Sequence, residues 1–191
     1  IERNSQSFEY PFKNLLDKNL LLLNYSPDRK LKFYTVNISA GGSMREFASY
    51  VQFKQGKKVI TQALNDGGLI KAIRQTQLNN IPTYLISRTY IGSGCVGAYG
   101  IQATQIKNAQ YKTVNVFKTK TKALNQIDVS YDCNYYPKNI QPFDMDRHYI
   151  RVSENLKNID ILLIKPSGEL TQNYLRYQKT KDNYQYIGTV K

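Results

Sequence analysis

Residues 83–104 read TYLISRTYIGSGCVGAYGIQAT, which is two runs rich in Tyr, Ile, Val and Thr joined by Gly-Ser-Gly. Such runs favour extended backbone, and glycine and serine are turn residues. Similar runs continue to the C terminus, separated by short turn signals and without the helix-length connections that a parallel sheet requires. The predicted strands are 83–91, 96–104, 111–118, 127–133, 148–152, 159–164 and 184–190. Residues 81–190 are therefore predicted to be β-rich and mainly antiparallel.

The first 78 residues have apolar spacings that are typical of helices. In residues 8–23 the apolar side chains recur at nearly helical intervals, and Ser43 and Glu46 have the form of a capping box that begins a helix running to about Lys54. Residues 57–65 and 69–78 are interpreted as two further helices, with one strand near 31–38. The prediction is an α+β fold in one domain, 1–191, with N-terminal helices packed on one face of a mainly antiparallel C-terminal sheet.

Charge is the strongest compositional feature. The 191 residues contain 27 Lys and Arg against 14 Asp and Glu, a formal net charge of +13, and residues 47–127 contain a single acid, Asp66. A polyanion would neutralise this charge and gain affinity from counterion release. We therefore predict a polyanion-binding face, with nucleic acid favoured over anionic lipid or glycan; the alternative is that scattered lysines keep the protein soluble. The candidate binding residues are Lys54, Lys57, Lys58, Lys71, Arg74, Arg88, Lys107, Lys112, Lys118, Lys120 and Lys122.

Two local patterns are compatible with nucleic-acid binding. Basic and aromatic residues alternate in 111–122 and 174–181, where ammonium groups can follow a sugar-phosphate backbone and tyrosine rings can stack on bases. Half-buried edge strands have the same composition. Residues 59–78 partly fit a helix-turn-helix, in which Lys71, Arg74, Gln75 and Gln77 would face the groove, although a plain helical hairpin fits them better.

The two cysteines, Cys95 and Cys133, are too far apart for a redox motif and too few for a zinc site, so a disulfide is the natural interpretation. Together with two glycosylation triplets, this slightly favours an extracytoplasmic location, whether secreted, periplasmic or surface-exposed. The second hypothesis is accordingly a structural or interaction subunit of a surface appendage or secretion assembly, stabilised by the disulfide. The longest apolar run, 20–23, is far too short for a transmembrane helix.

A small hydrolase is the third hypothesis. Asp144, Asp146 and His148 would share one face of a strand and offer ligands for a divalent metal. Alternatively, His148 would activate Cys95 as a thiol nucleophile. Neither set includes an identifiable further ligand or orienting residue, and no nucleotide-binding or hydrolase motif is present. The function favoured by the sequence is thus a non-enzymatic binding domain for which no cofactor is expected.

Overall fold

The computed structural model of this chain describes residues 4–65, 67–136 and 145–191. It is mostly β, with 58% strand and 9% helix. The strands are β1 (Leu22–Tyr25), β2 (Leu31–Asn37), β3 (Phe47–Gln55), β4 (Lys58–Leu64), β5 (Leu69–Leu78), β6 (Ile81–Ile91), β7 (Val96–Lys107), β8 (Gln110–Thr113), β9 (Phe117–Lys118), β10 (Ala123–Leu124), β11 (Gln126–Asp132), β12 (Ile150–Val152), β13 (Asn158–Ile164), β14 (Leu170–Lys179) and β15 (Tyr184–Val190). The helices are α1 (Lys13–Asp17), α2 (Met145–Tyr149) and 3-10 turns at Ser5–Phe8 and Cys133–Tyr135.

The strands form three sheets. The N-terminal sheet has the order β1-β2-β3-β4, the central sheet β5-β6-β7-β11 with β8 also paired to β7, and the C-terminal sheet β10-β9-β15-β14-β13-β12. Neighbouring strands are antiparallel except β9 and β15, which are parallel. Within the described ranges, no helix combines the length and the hydrophobicity that crossing a membrane would require.

The central sheet is buried on both faces. One hydrophobic core joins it to the N-terminal sheet and includes Phe33, Val51 and Ile86. The other joins it to the C-terminal sheet and includes Ile101 and Ile159. Alternate side chains of a strand point to opposite faces, so β6 supplies Leu85 to one core and Tyr84 and Ile86 to the other. This explains why β6 has no regular polar face.

One segment links the central and C-terminal sheets. After β8 the chain leaves the central sheet, forms the β9–β10 hairpin in the C-terminal sheet and returns as β11. Ala103 of β7 holds the first and last residues of this segment. Its carbonyl accepts from Val114 N at 3.0 Å, and its amide donates to Asn125 O at 2.8 Å. We call residues 114–125 the bridging segment. It covers one side of a cleft described below.

The predicted α+β fold is wrong, because the predicted N-terminal helices are strands. Residues 44–54 are largely β3. Its buried side chains include Phe47, Ser49, Val51 and Phe53, so burial recurs at every second residue, as in a strand and not in a helix. Helical spacing and strand alternation overlap in short apolar segments, and pairing with β2 and β4 decides between them. The supposed capping box is instead a loop in which Glu46 N donates to Ser39 Oγ at 2.9 Å.

The other helical predictions fail in the same way. Residues 57–65 and 69–78 form β4 and β5, which belong to different sheets, so the helix-turn-helix hypothesis is wrong as well. Within 8–23 the helix is limited to α1, preceded by Phe12 in the left-handed region (φ 52°). The strand near 31–38 is confirmed as β2, and most predicted C-terminal strands are confirmed, whereas β14 was missed and 148–152 is divided between α2 and β12.

Candidate functional site

Hairpin turns from all three sheets meet at one end of the molecule. The Tyr84 hydroxyl at the start of β6 donates to Asp28 Oδ2 in the β1–β2 turn at 2.9 Å. Asn79 N donates to Lys181 O at 2.7 Å, and Lys179 N donates to Lys157 O at 2.8 Å. These bonds connect turns of the N-terminal, central and C-terminal sheets. We define the turn end as residues 26–30, 54–58, 79–82, 106–110, 153–157 and 179–183.

The turn end is strongly basic. Its acids are Asp28, Glu154 and Asp182, and its nine bases are Arg29, Lys30, Lys54, Lys57, Lys58, Lys107, Lys157, Lys179 and Lys181. All of these bases except the half-buried Lys179 are exposed. The sheet topology therefore gathers charges that are far apart in the sequence.

The opposite end of the molecule is electrically balanced. It contains the Cys95–Cys133 disulfide, and we define this disulfide end as residues 38–46, 92–95, 133–136 and 165–169. Arg45 and Lys165 are its bases, and Glu46 and Glu169 are its acids. The charge of the protein is thus polarised along the strand direction.

Local hydrogen bonds satisfy two of the turn-end acids. Burial raises the pKa of the Asp28 carboxyl, but hydrogen bonds from Ser26, Lys30 and the Tyr84 hydroxyl outweigh it, so the pKa is lowered overall. Asp182 Oδ1 accepts from Thr180 Oγ1 at 3.0 Å and from Asn183 Nδ2 at 2.8 Å. Both carboxylates are therefore engaged by hydrogen bonds rather than by the lysines of other turns.

A polar cleft of about 550 Å³ opens at the turn end, beside the bridging segment. Gln105 lies in its wall, is only 5% exposed, and donates Nε2 to Thr83 Oγ1 at 2.7 Å. Asn125 Nδ2 donates to Thr113 Oγ1 at 3.2 Å in the same wall. Amide, ammonium and carboxylate groups face the cleft: Asn79, Gln105, Lys107, Asn115, Asn125 and Asp182.

The predicted binding residues do not form one face. Lys54, Lys57, Lys58 and Lys107 lie at the turn end, and Lys54 is paired with Glu9. Lys112 lies on β8, Lys118 on β9, Lys120 and Lys122 lie between β9 and β10, and Lys71 lies near the start of β5.

The two predicted arginines are less accessible than the lysines. Arg88 is 1% exposed, so its guanidinium lies inside the protein. Arg74 donates Nη1 to Ser87 Oγ at 3.0 Å, and burial lowers its pKa. We therefore place neither in the candidate site.

Five turn-end bases were absent from the sequence-based set because they lie outside residues 47–127. They are Arg29, Lys30, Lys157, Lys179 and Lys181. Turn signals such as Ser26-Pro27-Asp28 and the polar residues 180–183 mark their hairpins. The local sequence, however, does not indicate which hairpin turns lie at the same end of the molecule.

The predicted disulfide is confirmed. Cys95 and Cys133 are bonded with a Cα–Cα distance of 5.0 Å, and Cys133 N also donates to Cys95 O at 2.8 Å. A sulfur in a disulfide is not a thiolate, so the hypothesis that Cys95 is a nucleophile activated by His148 does not fit.

The metal-site prediction assumed a strand at residues 144–148, and the structure has a helix over the described part of this segment. Asp146 and His148 lie two positions apart in α2, so they point to different sides of a helix instead of sharing a strand face. Asp144 lies outside the described residues. Among the described residues, the group close enough to ligate a metal is Cys95, Asp132 and Cys133, whose two sulfurs are bonded to each other.

His148 instead lies among aromatic side chains. Its ring centroid is 6.0 Å from that of Tyr149 and 6.4 Å from that of Tyr174. Burial, and secondarily the charge of Arg151, lower its pKa.

No protein-family model matches the chain, and no curated protein or solved structure matches it either.

Proposed function

We propose that this protein is a non-enzymatic binding domain that binds a polyanion, with nucleic acid as the preferred class, through the turn end. The observation that carries the proposal is the gathering of nine bases against three acids on hairpins of three different sheets. Lys57, Lys58 and Lys107 are exposed and form no ion pair with the described residues. Their ammonium groups are available to phosphates.

The physical basis is electrostatic. Each phosphate that a lysine neutralises releases condensed counterions, and the gain in entropy makes binding steeply dependent on salt. A cluster of like charges on rigid hairpin turns also concentrates the positive potential at one end, which accelerates the approach of an anion. The bridging segment adds Lys118, Lys120 and Lys122 along the neighbouring strand β15, where Lys120 Nζ lies 5.9 Å from the Tyr186 ring centroid.

The experiment is a titration of fluorescent single-stranded and duplex oligonucleotides over a series of NaCl concentrations. We expect the logarithm of the association constant to fall linearly with the logarithm of the salt concentration. Replacing Lys57 and Lys58 with Gln should weaken binding and reduce the slope for single strands by about 0.7 for each phosphate that is no longer neutralised. Lys71→Gln is the matched control, because Lys71 is exposed but lies near the other end of β5.

Two outcomes would overturn the proposal: no measurable binding at low salt, or binding that Lys71→Gln weakens as much as the turn-end substitutions do. Anionic lipid vesicles and a sulfated glycan, titrated in parallel, test the preference for nucleic acid. Tighter binding to either at equal salt would replace nucleic acid as the ligand class.

The disulfide favours a second candidate, an extracytoplasmic structural or interaction subunit. Disulfides persist in oxidising compartments, and the Cys95–Cys133 bond joins the β6–β7 turn to the end of β11. This candidate takes first place if the titrations detect no polyanion binding, because the lysines would then serve solubility.

A further inference from the structure

We propose that the polar cleft at the turn end holds an unstacked base of a single-stranded nucleic acid, so that the protein prefers single strands to duplexes. This inference rests on the proposed function and identifies the form of nucleic acid that the turn end recognises. Four features of the cleft carry it: its place and size, its hydrogen-bonding groups, its aliphatic walls, and the position of its charges.

The cleft has the size and location of a ligand subsite. Its volume of about 550 Å³ lies within the range of about 300–1,000 Å³ that is usual for small-molecule sites. It opens among the β5–β6, β7–β8 and β14–β15 turns, which belong to the basic turn end. A base stacked inside a duplex cannot enter such a recess, whereas a base of a single strand can rotate into it at little cost.

The hydrogen-bonding groups of the cleft match the edges of bases. A side-chain amide offers both a donor and an acceptor, which is the pattern that reads base edges bidentately. The Nε2 group of Gln105 is already bonded to Thr83, which fixes the side chain, and its Oε1 accepts no hydrogen bond from the described residues. Asn115 is exposed at the rim, and its side chain forms no hydrogen bond with the described residues. Gln105 thus supplies a fixed acceptor, and Asn115 an adaptable donor and acceptor.

Aliphatic side chains complete the walls. Leu78, Ile81, Val114 and Val116 line the cleft between the amides. Leu78 and Val116 are almost fully buried, so Ile81 and Val114 are the side chains that can contact the flat face of a base while the amides pair with its edge.

The charges of the cleft orient the strand. Lys107 and Asp182 lie on the same cleft but carry opposite charges. Phosphates are attracted to Lys107 and repelled by Asp182, so the backbone of the strand should pass along the β7–β8 turn. This path leads from the cleft towards Lys112 on β8 and towards the bridging segment.

The test compares single-stranded and duplex affinities of wild-type protein and two matched variants. Asn115→Leu narrows the cleft and removes the amide, and Asn173→Leu makes the same change at an exposed position of β14 outside the cleft. We expect wild type to bind single strands at least tenfold more tightly than duplexes of equal length and salt. Asn115→Leu should lose about tenfold of the single-strand affinity, with an unchanged salt slope and unchanged duplex binding, whereas Asn173→Leu should behave as wild type.

A strand that contains 2-aminopurine gives an independent readout, because the fluorescence of this base rises when it unstacks. We expect a rise on binding to wild type and a smaller rise with Asn115→Leu. The inference is overturned if single strands and duplexes bind equally, or if Asn115→Leu binds single strands as wild type does. In both cases salt-dependent binding would still support the proposal that the turn end binds a polyanion. The absence of any binding would overturn the proposed function itself.

Discussion

At the scale of single residues, Lys32 shows how a charged side chain can belong to the interior. It is completely buried, and its Nζ donates to the carbonyl oxygens of Ser7 at 2.9 Å, Phe8 at 3.0 Å and Tyr10 at 2.6 Å. Three carbonyls satisfy all three donors of an ammonium group. Burial lowers the pKa of Lys32, because the charged ammonium group loses the stabilisation that water would give it. The gain is that the N-terminal segment is fixed to β2.

His148 leads to a prediction about pH. Because burial and Arg151 lower its pKa from 6.5, the unfolded chain binds a proton more readily than the folded protein between the two pKa values. The contribution of His148 to stability is therefore complete above pH 6.5 and is lost as the pH falls towards the folded pKa. We expect the free energy of unfolding of wild type to drop over this range relative to that of His148→Gln.

Urea unfolding of both proteins at several pH values between 5 and 8 measures this difference. The difference should be constant above pH 7.5 and shift in favour of His148→Gln below pH 6.5. Acids common to both proteins cancel in the comparison. Parallel pH profiles would show that His148 titrates normally and that its surroundings are wetter than the structure indicates.

At the scale of elements, the β6–β7 hairpin depends on close strand approach. A Cβ on Gly97 would lie 2.1 Å from the backbone oxygen of Tyr90 and 2.5 Å from the hydroxyl oxygen of Tyr131, so glycine is required by space rather than by backbone angle. Gly94 lies three residues earlier, in the turn, and its nearest neighbour would be Ser43 Cβ at 3.6 Å. One hairpin therefore contains a glycine that cannot be replaced without moving a strand and another that can.

We expect Gly97→Ala to reduce the free energy of unfolding by about 3 kcal/mol, because a backbone atom has to move to relieve the contact. Gly94→Ala should change it by less than about 1 kcal/mol, and in the stabilising direction, because alanine restricts the unfolded chain. Thermal and urea unfolding monitored by circular dichroism measure both. Equal effects of the two substitutions would contradict the packing of β7 between β6 and β11.

The strands differ in how far sequence could predict them. β6, β7, β13 and β15 are rich in strand-forming residues, although glycines interrupt β7 and β15, and this local preference was sufficient to identify them. β3 and β5 also satisfy helical spacing, and only pairing with strands elsewhere in the chain excludes a helix. The assignment of β9 and β10 to a different sheet from β8 and β11 depends on contacts with β15, which no local pattern encodes.

The candidate site was predictable to the same limited extent. The excess of bases in 47–127 is a property of composition, and Lys54, Lys57, Lys58 and Lys107 do lie at the turn end. Arg88 could not be distinguished from them, because burial of a basic side chain is set by tertiary packing. The polar cleft was not predictable either, since Asn79, Gln105, Asn125 and Asp182 are brought together only by the meeting of three hairpins and the bridging segment.

At the scale of the whole molecule, one charge distribution has two opposite consequences for salt dependence. The net charge is +13, and the nine bases and three acids of the turn end account for +6 of it. Salt screens attraction between the protein and a polyanion, and it equally screens repulsion among the lysines themselves. Binding should weaken as salt rises, while the folded protein should become more stable.

The stability effect can be tested without any ligand. We expect the melting temperature to rise between about 20 mM and 500 mM NaCl, a range in which the screening length falls well below the size of the molecule. At low salt Lys57→Glu should stabilise the protein by up to about 1 kcal/mol, because it replaces the repulsion between the neighbouring Lys57 and Lys58 with attraction. Lys71→Glu, near the start of β5, should have a smaller effect, and the difference between the two variants should vanish at high salt. If the melting temperature does not depend on NaCl, or if both substitutions act equally, then the positive charge is dispersed over the surface and the turn end is not an electrostatic site.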